Sequence, residues 1–372
     1  MAMKQKLRKI AVELYDIHNR NVGLGEFTWQ FAEHLAARAE RLRAEHGVVF
    51  YFIVPFGYEG CFGKAVRYIP LSDVTRYLVR YWPVRMDLCH LTHQYSRIKF
   101  MRFARRNLLT IHDINFMYEK EDEKLDKYCA RFRRRLDVVD ALSYISEFAR
   151  KDVERHFAPD YPARIIYNGV ADLSLDRRGG ASDAPRTAEG RQLPEGYLLH
   201  LSSLWPKKNA HLLIEMMRYL PEEHLVLVGN WQTRYGERLK QRIAEAGIGN
   251  VTALDHVSDA EKAELFAHCR GFLFPSLCEG FGLPPVEAMY FGKPVFLSTL
   301  TSLPEIGGPE AFYYDDLNPE AMAGVTRRGL ADFYADAENR AARTRAWARQ
   351  FDWDKCTDEY VAYYLDLLDG RV

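Results

Sequence analysis

Two glutamates, Glu279 and Glu287, stand eight positions apart within residues 275–298, PSLCEGFGLPPVEAMYFGKPVFLS. Gly280, Phe281, Gly282, Leu283 and two prolines lie between them. Glycines at 280 and 282 let backbone N–H groups approach a ligand closely, and a helix starting after Leu283 turns a positive dipole end toward an anion. Glu279 sits on the turn, where it can accept hydrogen bonds from hydroxyls. Glu287 falls about one helical turn in, a position from which a carboxylate suits a vicinal diol. Phosphate at the amides and hydroxyls at both carboxylates describe a sugar nucleotide. The plain alternative is an ordinary βαβ turn with a capping glutamate, since carboxylates are favoured at helix starts anyway.

These residues need elements to hold them. GFLFP at 271–275 is an apolar run of strand type, 284–291 carries a helical pattern, and 294–297 starts a new strand. Strand, glycine turn, helix, strand is the place where open α/β sheets bind ligands, outside the carboxyl ends of the strands.

The string Glu279-x7-Glu287, with GFGLPP inside it and AMYFGKPV after it, resembles the donor site of the retaining GT-B glycosyltransferases of family 4, the glycosyl transferases group 1. The resemblance implies that Glu279 faces the donor sugar hydroxyls and that the amides of Gly280, Phe281, Gly282 and Leu283 contact sugar and diphosphate. It implies that Glu287 binds the ribose diol.

Composition fits a chain of that kind. The 372 residues are enough for two domains, 48% are hydrophobic, 27% are charged, and the formal net charge is +0. Such a balance argues against a nucleic-acid partner. The six cysteines show neither a CxxC nor a paired spacing, which points to reduced thiols and a cytoplasmic setting. No apolar run reaches the length of a membrane span, and the start of the chain lacks the apolar core of a signal peptide.

In chain order, KIAVEL at 9–14 is a first strand, followed by a glycine-rich turn with Gly23 and Gly25 and a helix from about 26 to 43. Gly23-x-Gly25 serves equally as a plain tight turn. It also resembles the N-terminal loop of many family-4 enzymes, which implies a place near the donor diphosphate. A buried strand, 48–54, precedes an irregular aromatic stretch, 56–83. Strands at 88–91 and 108–111 lead to Thr92-His93-Gln94 and to His112-Asp113. A lone histidine is often structural, but the TIHD context resembles one in the family where the histidine faces substrate, so His112 is expected to contact substrate and Asp113 to cap a loop. Arg97, Lys99, Arg102, Arg105 and Arg106 form one basic group and Arg131, Arg133, Arg134 and Arg135 a second. These suit either an anionic membrane surface or a solvated face balanced by nearby acids. A strand at 141–146, a helix at 147–157 capped by Ser146 and a short strand at 164–167 complete this half, with Asn168-Gly169-Val170 resembling the family's closing turn. Residues 171–196 carry no apolar period and form the expected linker.

The second half opens with a strand at 197–201 and the loop SSLWPKKN at 202–209, followed by a helix to about 220. Lysines at a strand-to-helix turn suit a departing diphosphate. Lys208 matches the lysine of the family pattern, whereas Ser203 stands where an arginine is usual, with a hydroxyl or backbone donor in its place. Strands are expected at 225–229 and 251–254, and helices at 237–246 and 257–269. Trp231 is a candidate for stacking on the base. Thr301 and Ser302 lie in a loop at 298–305 that resembles one near the family's diphosphate. Asp352-Trp353-Asp354 matches the DxD string of the other glycosyltransferase fold, but its position at a helix start reads as capping, so no metal site is assigned.

The expected fold is therefore α/β, a GT-B arrangement of two Rossmann-like domains facing across a cleft. Residues 1–175 would form an acceptor domain with 352–372 packing back on it, and 176–351 a sugar-nucleotide donor domain. The expected reaction is transfer of a hexose with retention, mannose from GDP-mannose first and a UDP-linked glucose or N-acetylglucosamine next, to a saccharide or lipid-linked glycan. His112, Lys208 and Glu279 would carry catalysis without a metal ion, and the protein would be cytoplasmic or peripheral on the inner membrane face. A sugar-nucleotide epimerase or hydrolase, or a non-catalytic sugar-nucleotide-binding protein, uses the same motifs. An ordinary Rossmann oxidoreductase is disfavoured, because no GxGxxG follows a strand.

Overall fold

The computed structural model describes residues 6–18, 23–72, 74–78, 81–96, 98, 104–175, 192–245 and 247–372. The chain divides into two compact units, Met1–Gly169 with Asp352–Val372, and Val170–Phe351. The first unit thus ends at Gly169, ahead of the 171–196 stretch read as the linker.

In the first unit β1 (Arg8–Glu13) leads through a short 3-10 turn, Tyr15–His18, to α1 (Gly23–His46), then β2 (Val48–Pro55), β3 (Arg67–Leu71), β4 (Leu88–Leu91) and β5 (Asn107–Ile111). There follow α2 (Phe116–Glu119), α3 (Asp122–Leu136), β6 (Ala141–Tyr144), α4 (Glu147–Phe157) and β7 (Ala163–Ile165). All strands pair in parallel in the order β3-β2-β1-β4-β5-β6-β7. Parallel strands covered on both faces read as unbroken apolar runs, and β2 (VVFYFIVP) is buried along its whole length. One face is covered by Phe27, Phe31 and Leu35 of α1 together with Tyr360, Tyr363, Tyr364 and Leu367 of the chain's terminal helix, Trp353–Asp369. Phe116, Phe132, Leu136 and Val153 cover the other.

Two sequence expectations change here. Residues 56–83 are not wholly irregular, because β3 extends the sheet beside β2; its short, half-exposed edge pattern hid it among aromatic residues. Gly23 and Gly25 are not on a free turn either. They occupy the first turn of α1, Gly23 exposed and Gly25 buried. Ser146 caps α4 as expected, accepting from the Ala149 N–H.

In the second unit β8 (Leu198–Leu201) is followed by a 3-10 turn, Pro206–Lys208, then α5 (Ala210–Met216), β9 (Leu225–Val228), α6 (Arg234–Glu245) and β10 (Val251–Leu254). Next come α7 (Asp259–His268), β11 (Gly271–Phe274), α8 (Leu283–Tyr290), β12 (Val295–Ser298), α9 (Leu303–Gly307), β13 (Phe312–Tyr314), α10 (Pro319–Ala335) and α11 (Ala337–Ala348). The sheet is again parallel, in the order β10-β9-β8-β11-β12-β13. The 298–305 loop contains α9, which sequence reading missed because a five-residue helix offers little period. None of the described helices is long and apolar enough to cross a membrane.

Both sheets change direction between their first and fourth strands, so the switch point lies between β1 and β4 in one unit and between β8 and β11 in the other. Each gap is where two loops leave adjacent strands on the same side.

A polar network is sealed inside the first unit. His90 of β4 bonds Tyr364 Oη at 2.6 Å and Thr110 Oγ1 at 2.8 Å, and Thr110 reaches Ser143 and Tyr360. Burial, with a smaller contribution from nearby His112, pushes His90 down to about 3. In the second unit His200 donates to the Leu273 carbonyl and is held at about 4, again chiefly by burial. The unfolded chain takes up these protons near pH 6.5 and the native protein does not, so stability falls as pH drops from about 6.5 toward 3–4. Each histidine contributes a slope of up to about 1.4 kcal/mol per pH unit. Urea unfolding at pH 7, 6, 5 and 4 should show this loss, and His90→Gln should lessen it by the share of one histidine. An unchanged slope would remove His90 as its source.

Candidate functional site

β11 is buried on both faces and sits between β8 and β12. Its carboxyl end opens into residues 275–282, and Gly282 ends that turn at φ +115°, a left-handed conformation that favours glycine. A methyl group at Gly282 would also lie 3.0 Å from Leu303 Cδ2. Pro284 and Pro285 then start α8, where missing N–H groups do no harm to the helix. They do thin the anion cradle. With no N–H on Pro284 or Pro285, the main-chain donors left for an anion are those ahead of the prolines, so an anion here depends on a side-chain cation.

Two lysines pair with the carboxylates of this segment. Lys208, from the loop after β8, bonds the Glu279 carboxylate, and both side chains are only 13% exposed. Its ammonium also lies 5.1 Å from the centre of the Phe274 ring. The pair spans the switch point, because its members leave the adjacent strands β8 and β11. Lys262, in the first turn of α7, bonds Glu287 Oε1 at 2.5 Å. Glu287 is buried in α8, and its other oxygen, Oε2, meets no hydrogen-bond donor.

The turn is stitched to its surroundings. Asn209, itself left-handed at φ +54°, donates to the Pro275 carbonyl, and the Leu277 N–H donates to the Lys207 carbonyl. Thr301 Oγ1 accepts the Glu279 N–H at 3.0 Å. The buried Ser302 hydroxyl lies 3.0 Å from the Glu279 carbonyl and 2.8 Å from that of Phe281. Thr301 and Ser302 thus brace the turn that presents Glu279 and the 280–283 amides. Phe281 is buried edge-on against Phe351, whereas Ser203 is exposed.

Trp231 does not stack on a base. It is buried, its indole N–H donates to the Leu254 carbonyl, and a methyl group at Gly236 would lie 2.6 Å from its carbonyl oxygen, so the following helix starts hard against it.

In the first unit His112 follows β5, partly exposed, with Nε2–H donating to the Thr92 carbonyl at 2.9 Å. Its main-chain N–H donates to Gln94, and its ring lies edge-on to Phe27. Burial and then neighbouring His93 drive it down to about 3, so it is a neutral imidazole with Nδ1 as the acceptor. Asp113 caps its loop by accepting the Asn115 N–H.

A cluster that sequence reading missed occupies this unit's own switch point. Glu13 ends β1, Asp16 follows it, His93 follows β4, and their ligand atoms lie within 4.8 Å of one another. The hydrogen bonds give it a different use from metal ligation. His93 Nδ1 accepts the Tyr95 N–H, so Nε2–H donates to Asp16 at 2.7 Å. Glu13 accepts from the Tyr15 N–H and lies 3.0 Å from the Thr92 hydroxyl, and burial raises its pKa. The strand order would have revealed the cluster, but no spacing in the sequence does. The Asp352-Trp353-Asp354 string is also committed elsewhere: Asp352 caps the terminal helix by accepting from Lys355, and Asp354 binds His34 and Arg38.

Of the basic groups, Arg97, Lys99 and Arg102 lie outside the described residues. Arg105 approaches Asp87 at 3.5 Å. Arg135 turns inward to the carbonyls of Ser96 and Ile98 and does not join a surface face.

Ser302→Ala removes the one hydroxyl proton that the Glu279 and Phe281 carbonyls share and should cost about 1–3 kcal/mol. Thermal unfolding with nucleotide titration checks this: stability and nucleotide affinity should fall together, and unchanged affinity would mean that Ser302 does not hold the turn.

Known proteins agree with this architecture. The family described as glycosyl transferases group 1 matches residues 183–347. O-antigen chain mannosyltransferase B of Escherichia coli is 27% identical, with 92% of this chain and 95% of that protein covered. The serotype-specific mannosyltransferase WbdA of the same organism is 32% identical over 67% of this chain, which spans about a third (32%) of its length. Among solved structures, sucrose-phosphate synthase from Thermosynechococcus elongatus superposes with a TM-score of 0.72 at 19% identity, covering 98% of this chain and 100% of that one, which shows a shared fold. With two parallel-sheet α/β units and this family signature over the Lys208, Glu279 and Glu287 site, the chain has the GT-B fold and carries a glycosyl transferases group 1 domain at residues 183–347.

Proposed function

We propose that this protein transfers mannose from GDP-mannose, with retention of configuration, to a hydroxyl of a saccharide or lipid-linked glycan. The observation that carries the reading is the pair of carboxylates, Glu279 and Glu287, each bonded to a lysine around one glycine turn at the end of β11. The mannosyltransferase relatives support the donor sugar and the glycan acceptor.

The chemistry assigned to the second unit is stabilisation of a departing nucleoside diphosphate. The C1–O bond to the diphosphate breaks as the acceptor oxygen bonds to C1 on the same face, and the acceptor's proton passes to an oxygen of the leaving phosphate. Lys208, the Gly280, Phe281, Gly282 and Leu283 amides and the start of α8 offset the developing negative charge, with no step assigned to a metal ion. Glu279 receives the sugar hydroxyls once Lys208 turns to phosphate, and Glu287 receives the ribose. In the first unit neutral His112 offers Nδ1 to a substrate hydroxyl. Gly23 and Gly25 have a more limited part, since Gly25 is buried inside the first turn of α1.

Calorimetric titration with GDP, UDP and their mannose, glucose and N-acetylglucosamine conjugates tests the donor. GDP and GDP-mannose should bind to the wild type and lose at least tenfold, about 1.4 kcal/mol, in Glu287→Ala. Selective binding of UDP compounds would move the donor to the UDP class, and binding of none by folded protein would sink the site.

The basic groups are proposed to hold the enzyme on an anionic membrane surface, at the inner face where a lipid-linked acceptor would be presented. Reversal of Arg102, Arg105 and Arg106 to Glu should abolish co-sedimentation with phosphatidylglycerol vesicles. Unchanged binding would remove the membrane from the reading.

A further inference from the structure

The start of α7 is fixed with unusual completeness. The Ser258 hydroxyl accepts the Glu261 N–H while the Glu261 carboxylate accepts the Ser258 N–H, a reciprocal capping box. Lys262 is the next residue, so its ammonium is delivered to Glu287 from a rigid turn, 2.5 Å from Oε1. The two side chains are 19% and 11% exposed. Glu287 Oε2 is enclosed and meets no donor. What exposure the Glu287 side chain retains therefore lies away from Oε2. With Oε2 enclosed and Oε1 held by Lys262, a hydroxyl coming to this carboxylate competes with the lysine for Oε1.

We propose that Lys262 is a displaceable counter-ion that sets nucleotide affinity: it neutralises Glu287 in the empty site and must give up Oε1 to the ribose hydroxyls when the donor binds. The proposal rests on the donor-site reading above and adds to it a residue of α7 outside the glycine turn. A carboxylate this enclosed needs a cation when the site is empty, since an unpaired buried charge is costly. The same cation competes with the diol. Binding is then an exchange of one hydrogen-bonded partner for another, and the apparent affinity is reduced by the fraction of time the pair is closed. Glu287 Oε2, with no donor in the closed pair, gains its first partner when the carboxylate turns to the diol. The ordering that follows is specific. A stronger pair should weaken nucleotide binding, and a broken pair should strengthen it, but only for a ligand that carries the ribose hydroxyls.

The test uses the full chain with Lys262→Arg, Lys262→Gln and Lys262→Met, and measures calorimetric affinities for GDP, UDP and their 2′,3′-dideoxy analogues. Arginine can grip both carboxylate oxygens, so Lys262→Arg should bind the preferred nucleotide about tenfold more weakly than wild type. Lys262→Met should bind it several-fold to about tenfold more tightly. Lys262→Gln should fall between wild type and Lys262→Met, and it carries the same sign if the methionine variant fails to fold. The dideoxy analogue should be nearly indifferent to all three changes. Weaker binding by Lys262→Gln or Lys262→Met overturns the proposal, because it would make Lys262 a direct contact to the nucleotide. Equal shifts for ribose and dideoxy compounds overturn it too, by reducing Lys262 to a general charge. If wild type binds neither GDP nor UDP, the donor-site reading itself fails. If it binds one of them but the Arg, Lys, Met order is absent, the failure is confined to Lys262.

Discussion

Two acid side chains at the end of a buried strand impose the main electrostatic demand on the second unit. Glu279 and Glu287 are largely withdrawn from water, and a carboxylate in that position must either meet a cation or give up its charge. The fold answers with lysines from two different elements. Lys208 arrives on the loop after β8 and Lys262 on the first turn of α7, so the site can form only when β8, β11, α7 and α8 are all in place. Parallel pairing of β8 with β11 brings the first lysine to the first acid, and the capping box of α7 aims the second. The surrounding hydrogen bonds from Asn209, Thr301 and Ser302 keep the turn from drifting away from those cations.

The first unit uses the same sheet order with a different balance of forces. At its switch point the pair is Asp16 with His93, a hydrogen bond from a histidine whose other nitrogen is already engaged by a main-chain N–H. Behind the sheet, His90, Thr110, Ser143, Tyr360 and Tyr364 form a neutral polar network in which each group is satisfied by another side chain. Such a network gives little net stabilisation but strong geometric preference, because any misplacement strands a buried polar atom. It fixes the terminal helix against three adjacent strands at one defined depth.

Much of this was legible from residue order. Unbroken apolar runs such as VVFYFIV marked the parallel strands, Ser146 marked a helix start, and the spacing of Glu279 and Glu287 around GFGLPP marked the turn and its acids. What was missed shares one cause. Lys262, His93 with Asp16, and the inward turn of Arg135 are defined by contacts between distant segments, and nothing local in the sequence distinguishes them from ordinary surface residues. Trp231 failed for a related reason: a loop tryptophan after a strand reads as available, while its burial depends on the Leu254 carbonyl and on core residues distant in sequence. The short elements β3 and α9 escaped because five residues carry too little periodicity against an aromatic or proline-rich background.

The terminal helix has a consequence for the order in which the protein can assemble. The second unit, Val170–Phe351, is one continuous segment, and every strand of its sheet is complete once that segment has left the ribosome. The first unit is synthesised earlier but lacks Tyr360, Tyr363, Tyr364 and Leu367 until the last residues emerge. Until then the face of its sheet that carries His90 and Thr110 is covered by α1 alone, and His90 and Thr110 lack their tyrosine partners. Vectorial synthesis therefore favours completion of the second unit while the first waits. The earlier-made half remains in the longer need of chaperone protection, and its closure depends on contacts of very large sequence separation.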